Sequence, residues 1–507
     1  MSSVAANTAL NMTSFAVAAV IGVAVVPLIV GGFGIQALGL VAVSRLVLPS
    51  GFAALADLGL PEATVRSVAM RRGRGEAAIA KEELYLSGGL SFLVGVLCGA
   101  VLWSCASWIT TDFVRLSGER AMVFEDTIRW TAGALVILFP AQIVEACLRG
   151  TEHFLPLRLA DIAVSIGYGS GVAFLTWSQA GFQWIIYVYL AILALKAVVL
   201  ALYLLTMSTS RPRLSSRAFD HKAYLAYAFA AYRNKAIGVG IRYAPHLLVT
   251  GILGPSSAGI FDALSRVPYL AKSLLGLGTL AVVPAAARLS TASSKDRLLN
   301  IAVTASEAFG MIFLPPLVTL AAFSGRALDV WLGPDFVRWA PWFSAFLIWP
   351  SAIACYQVMD SVLSYDRRYL NATSLISLFQ LVLVVIVGVV MVSLFAEGAF
   401  VVGIALAGIL GASWRFLLCR QRGLPTAMIF RPARGLLFSI LLAAAFAFLV
   451  SPRGLALPHS ISWNAAILVS ALAISWMCYY LVLLNTPAKS LIWQAVRQSL
   501  RTFRLVR

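Results

Sequence analysis

Apolar runs of about 18 or more residues recur along nearly the whole 507-residue chain, each long enough to cross the roughly 30 Å hydrocarbon layer of a bilayer as a helix. The composition agrees. Sixty per cent of the residues are hydrophobic and only 12% charged, against about 25% charged in an ordinary soluble protein. These features predict an all-α membrane protein of about fourteen transmembrane helices, at approximately 13–34, 36–59, 84–108, 129–148, 159–178, 184–206, 224–252, 257–285, 299–323, 341–364, 371–394, 399–419, 434–451 and 464–485. The N-terminal MSSVAANTALNMTSF has neither the basic region nor the small-residue cleavage site of a secretory signal, so the first run is expected to be retained.

The net charge of +18 would suggest nucleic acid in a soluble protein, but here the basic residues fall mainly between the apolar runs. With a cytoplasmic N-terminus, about 25 Lys and Arg lie in cytoplasmic connections and tail against about 5 on the other side, which selects that orientation. Both termini are then cytoplasmic, and the basic connections favour anionic lipid headgroups rather than nucleic acid. The largest groups are Arg66, Arg71, Arg72 and Arg74; Arg211, Arg213, Arg217 and Lys222; and the C-terminal tail. That tail, PAKSLIWQAVRQSLRTFRLVR, suits an amphipathic helix on the membrane surface or a docking site for a partner.

Helix starts at 13, 129 and 184 recur at 224, 341 and 399, a shift of roughly 211 to 215 residues that suggests a duplicated transporter plan. The expected organisation is a six-helix lobe at 1–206, a cytoplasmic linker at 207–223, a second six-helix lobe at 224–420, and two further helices with the basic tail at 421–507. Pro61 with Arg66 and Pro284 with Arg288 mark equivalent ends in the two halves.

Charges inside the predicted spans point to a site, because Arg or Lys at a helix centre costs about 2.5 to 3.5 kcal/mol. Arg45 lies in the second helix, Lys196 in the sixth, Arg233, Lys235 and Arg242 in the seventh, and Arg266 and Lys272 in the eighth. Lys235, Arg242 and His246 are seven and four residues apart, one basic stripe along a helix face with Gly238. Four such charges facing lipid would cost on the order of 10 kcal/mol, so a solvated, anion-binding cavity is the cheaper arrangement. Snorkelling suffices for Arg233, Lys196 and Lys272. Arg45, Lys235, Arg242 and Arg266 are the candidate anion-binding residues, with phosphate or pyrophosphate the best match to arginine.

Among the acidic residues in spans, the i,i+4 spacings predict pairs of Asp262 with Arg266 and of Glu145 with Arg149. Glu307 and Asp360 lack an obvious partner in sequence and are candidates for ion coupling. No Walker A, HExxH or GxSxG pattern occurs, no catalytic-sized external loop is present, and the six cysteines have no metal-ligand or redox spacing. No enzyme activity, metal or cofactor is expected.

Four segments carry a resemblance. ADLGLPEATVRSVAMRRGRGE ends the second helix, EACLRGTEHFLPLRLAD joins the fourth and fifth, HLLVTGILGPSSAGIFDALSRVPYLAKSLLGLGTLAVVPAAARL opens the second lobe, and DVWLGPDF is external. In order and spacing they resemble the Wzx-type polysaccharide flippases of the multidrug/oligosaccharidyl-lipid/polysaccharide exporter superfamily, over roughly residues 10 to 420. The resemblance implies two alternating lobes in the bacterial inner membrane that flip an undecaprenyl-pyrophosphate-linked oligosaccharide for cell-surface polysaccharide biosynthesis. It also implies partners among other polysaccharide-assembly membrane proteins. The family often has an Asp near the outer end of the seventh helix, where this chain has His246, which adds His246 to the ion-coupling candidates. The alternatives are a multidrug exporter of organic cations from the same superfamily, and a non-transporting scaffold in a glycan assembly complex.

Overall fold

The computed structural model describes residues 2–74, 81–208, 220–279, 295–363, 367–421, 427–449 and 461–482. Among them all regular structure is helical, as expected for an all-α membrane protein. The main helices are α1 (Ser2–Phe33), α2 (Ile35–Leu46), α3 (Lys81–Ser104), α4 (Glu119–Gly150), α5 (Phe154–Trp177), α6 (Gln183–Ser208), α7 (His221–Leu253), α8 (Pro255–Thr279), α9 (Lys295–Ala322), α10 (Ala340–Leu363), α11 (Arg367–Phe395), α12 (Gly398–Gln421), α13 (Ala427–Leu449) and α14 (Ile461–Val482). Among the described residues eleven helices are long and apolar enough to span a bilayer. Apolar stretches in α2 and α13 are shorter, and α8 carries Asp262, Arg266 and Lys272. The tail after Val482, most of the 207–223 segment, and Pro284 with Arg288 lie outside the described residues.

The second predicted helix needs correction. It stops at Leu46 rather than running to 59 and gives way to a short 3₁₀ helix, Phe52–Asp57. Pro49 cannot donate the next helical hydrogen bond. At Gly51 the chain folds back so closely that a Cβ would lie 2.5 Å from the Arg45 carbonyl. Leu58 and Gly59 then adopt left-handed conformations, and a connector helix, Leu60–Gly73, starts with Pro61 in its first turn.

Two compact units divide the chain, Met1–Ala263 and Leu264–Arg507. In the first, α1 packs on α5, α4 packs on α3 and α6, and the connector helix lies against α4 and α7. Leu60, Ala63 and Val68 of the connector form a core with Ile143, Cys147 and Leu148 of α4, Leu200 and Leu204 of α6, and Tyr224 and Ala228 of α7. Gly95 and Gly99, four apart on α3, bring that helix to within van der Waals reach of the Leu135 and Ala132 carbonyls of α4. In the second unit α9 packs on α10, α13 and α14, and α12 packs on α10 and α11. Outward-facing spans present Trp103, Trp130, Leu195, Val390 and Leu441, apolar surface that suits lipid rather than water.

The tightest crossing joins α2 to the start of α8. A Cβ on Gly39 would lie 1.9 Å from the Pro255 carbonyl oxygen, and one on Gly259 would lie 2.1 Å from that of Ile35. Backbone on both sides leaves nothing to rotate aside. Gly39→Ala should therefore destabilise the protein by about 1–3 kcal/mol, measured by thermal unfolding in detergent. Gly88→Ala, at an open helical position, should be neutral or slightly stabilising.

Candidate functional site

The basic stripe on α7 divides into three environments. Lys235 forms ion pairs with Asp57 and, at 3.1 Å, with Glu62. Asp57 is buried, and its second oxygen accepts the Gly59 backbone N–H at 3.0 Å. Lys235 is thus committed to carboxylates in this conformation. A seam of contacts continues from it. The Tyr224 hydroxyl hydrogen-bonds to Thr64 at 2.8 Å and donates to the Leu60 carbonyl at 3.2 Å, and the Arg66 guanidinium lies 4.1 Å from the Tyr227 ring. Gly59 leaves no room for a side chain, since a Cβ there would lie 2.2 Å from the Ala228 carbonyl.

Arg242, two turns further along α7, is exposed, with its guanidinium 5.2 Å from the Tyr243 ring. His246 is buried. Its Nδ1 donates to the Arg242 carbonyl at 3.2 Å, its Nε2 lies 3.9 Å from Asp262, and its ring packs edge-on against Phe261. Asp262 of α8 thus faces His246 of α7.

Arg45, at the end of α2, is held by rings. Its guanidinium lies 5.0 Å from Tyr189 of α6 and 5.6 Å from Tyr168 of α5, within the charge of Asp262. Two aromatic faces stabilise a cation and position it without neutralising it.

A second network in this unit was not foreseen. Lys196 of α6 bridges Glu145 of α4 at 2.7 Å and Asp161 of α5 at 2.8 Å. Asp161 also pairs with Arg158 at 2.8 Å, and Arg158 donates to Asn11 of α1 at 2.6 Å. Two predictions are corrected. Lys196 does not snorkel but is mostly buried between carboxylates, and the Glu145 side chain pairs with Lys196 while Arg149 donates to the Glu145 backbone carbonyl. The lysine stem reaches across the helix interface and places its ammonium between the two carboxylates.

In the second unit Asp360 of α10 has a partner that sequence did not reveal. Arg415 of α12, buried, donates to it through Nε at 3.1 Å, and the Tyr369 hydroxyl donates to its other oxygen. Gln380, Ser377 and the Gly411 carbonyl accept further bonds from Arg415, each at 3.4 Å, and Tyr356 lies under its guanidinium. Glu307 is buried on α9, close enough to act electrostatically on Tyr479 of α14, whose hydroxyl fits against Gly310 and Gly435. Arg266 is half-buried on α8, and Lys272 lies 4.7 Å from the Trp349 ring. Among the described residues no group of three or more His, Cys, Asp or Glu could hold a metal.

Comparison with known proteins places the fold. No protein-family model matches the chain. Over 343 residues it is 25% identical to an uncharacterized membrane protein, EpsK, of Bacillus subtilis (strain 168), covering 66% of this chain and 66%, just under two thirds, of that protein. Among solved structures it is similar to the lipid II flippase MurJ in an inward-closed conformation, with a TM-score of 0.69 and 13% identity over 92% of this chain and 97% of the other. It is also similar to an inward-facing multidrug resistance MATE transporter of the MOP superfamily, with a TM-score of 0.62 and 16% identity over 81% and 94% of the two chains. A Vibrio cholerae MATE transporter gives a TM-score of 0.58 at 14% identity, over 84% and 100%. The chain therefore has the fold shared by these transporters.

The Lys196 network makes a quantitative expectation. Lys196→Met strands Glu145 beside Asp161 and should destabilise the protein by about 3 kcal/mol, the scale of breaking a buried pair. Adding Glu145→Gln leaves Asp161 with Arg158, and thermal unfolding should show most of the loss recovered.

Proposed function

We propose that this chain is a flippase that moves an undecaprenyl-pyrophosphate-linked oligosaccharide from the cytoplasmic to the periplasmic leaflet of the bacterial inner membrane, for cell-surface polysaccharide assembly. It works by alternating access between the six-helix repeats 1–206 and 224–420, with both termini cytoplasmic. The single observation that carries this reading is Arg242. It is an exposed guanidinium well inside a 33-residue helix otherwise apolar enough to span the bilayer. A charge there facing lipid would cost about 2.5 to 3.5 kcal/mol. An aqueous path for an anionic group relieves that penalty, and the planar fork of arginine suits a pyrophosphate. Further support comes from the MurJ likeness, because that protein flips a lipid.

Arg45 is the second anion contact, presented between Tyr168 and Tyr189, and Arg266 the third. Lys235 serves only in a state in which it has left Asp57 and Glu62. Reversible release requires that the substrate be held without a large preference for either state. Glu307, Asp360 and His246 are the candidates for ion coupling. Of these Asp360 is already committed to Arg415, so coupling through it requires that pair to open. Other membrane proteins of polysaccharide assembly are the expected partners.

The test is flipping of a fluorescent undecaprenyl-pyrophosphate oligosaccharide in proteoliposomes. Arg242→Ala should slow it about tenfold or more, the loss of one charge-assisted contact, while Arg242→Lys, which keeps charge but not the fork, should fall between. Unchanged flipping in Arg242→Ala at matched insertion would remove Arg242 from the site. A parent protein that moves organic cations but no lipid-linked glycan would make it a drug exporter.

A further inference from the structure

One buried ionisable group has no part in the site above. Glu83 lies in the first turn of α3 and is 1% exposed. The ion pairs of Lys196 in this unit are direct, at 2.7 and 2.8 Å. Glu83 differs. Neither carboxylate oxygen completes a hydrogen bond among the described residues, and its ion-pair partner, Nε of Arg71 on the connector helix, is 3.7 Å away. The Ser87 hydroxyl donates to the backbone carbonyl of Glu83 rather than to its side chain. Facing the carboxylate are Arg71 and Ser67 from the connector, Cys147 from α4 and Tyr224 from α7. Only the nearby Ser67 hydroxyl and Arg71 favour the ionised form of so dry a carboxylate, and a proton is the other way to settle it.

The place matters as much as the group. Glu83 sits where α3, α4, the connector and α7 meet, beside the Tyr224 hydroxyl that ties α7 to Thr64 and Leu60. We propose that Glu83 is a proton-binding site linked to docking of the connector helix. With the connector docked the carboxylate is buried and takes one proton from bulk water as the pH falls, becoming a neutral carboxyl; when the connector moves away, water solvates the carboxylate and that proton returns to bulk, and Arg71 stays charged throughout. The inference is independent of which lipid or drug the protein carries.

Infrared difference spectroscopy across a pH titration, on the full chain in lipid nanodiscs, tests the site directly. A protonated-carboxyl band that grows as the pH falls is expected, absent in Glu83→Gln and shifted in frequency in Glu83→Asp. Arg71→Gln should raise its midpoint by about one pH unit or more, a tenfold gain in proton affinity. If Glu83→Gln fails to fold, the Glu83→Asp and Arg71→Gln shifts carry the test. Persistence of the same band in folded Glu83→Gln, or no change in Arg71→Gln, would overturn the site. Linkage is read from spin labels at Met70→Cys and Leu225→Cys, both exposed, in a background without other cysteines. The distance should vary with pH in the parent and not in Glu83→Gln; a pH-independent distance in the parent would overturn the linkage.

Discussion

A charge held at bilayer depth must meet an opposite charge, an aromatic face or water, and this requirement organises both units. Lys196 meets two carboxylates, Lys235 two more, and Arg415 a carboxylate with a ring beneath it. Arg45 meets two tyrosines. Each arrangement joins helices far apart in sequence, so the same contacts that settle the charges also fix which helices are neighbours. Hydrophobic burial cannot do this alone, because helices are nearly as comfortable against lipid as against each other. Polar contacts supply the discrimination.

The helices were legible because a run of twenty apolar residues admits few other readings. The basic stripe on α7 was legible because the helical period alone places residues seven and four apart on one side. What that period could not supply was the identity of partners on other helices. Glu145 and Lys196 are separated by two helix turnarounds, and Arg415 lies beyond a whole further helix from Asp360, so local spacing pointed to Arg149 in the first case and to nothing in the second. The break in α2 had a local signal, Pro49 followed by Gly51, but hydropathy continues through Phe52 to Leu60 and hides it.

The Lys235 contacts give α7 two dissimilar ends. Toward its start, tyrosines, an ion pair and the close approach at Gly59 tie it to the connector helix. Toward its finish, His246 packs among Asp262 and Phe261 of α8. Between them Arg242 is exposed. The two ends differ in kind: Tyr224 and Ala228 at the start of α7 belong to the large apolar core around Ile143 and Leu200, whereas the contacts of Lys235 and His246 are polar and can exchange their partners for water.

The shortness of α2 has a consequence for how the chain reaches the membrane at all. Its 12 residues rise only about 18 Å, well short of the hydrocarbon layer, and one of them is an arginine. Such a segment partitions poorly from the insertion machinery by itself. It follows α1 after the single residue Gly34, so the two enter most favourably as a hairpin, with the long apolar α1 carrying its deficient neighbour. Arg45 then waits in the bilayer for Tyr168 and Tyr189, which are synthesised more than a hundred residues later. The order of synthesis thus leaves the early helices incomplete until α5 and α6 arrive, which makes assembly of the first unit a collective event rather than a helix-by-helix one.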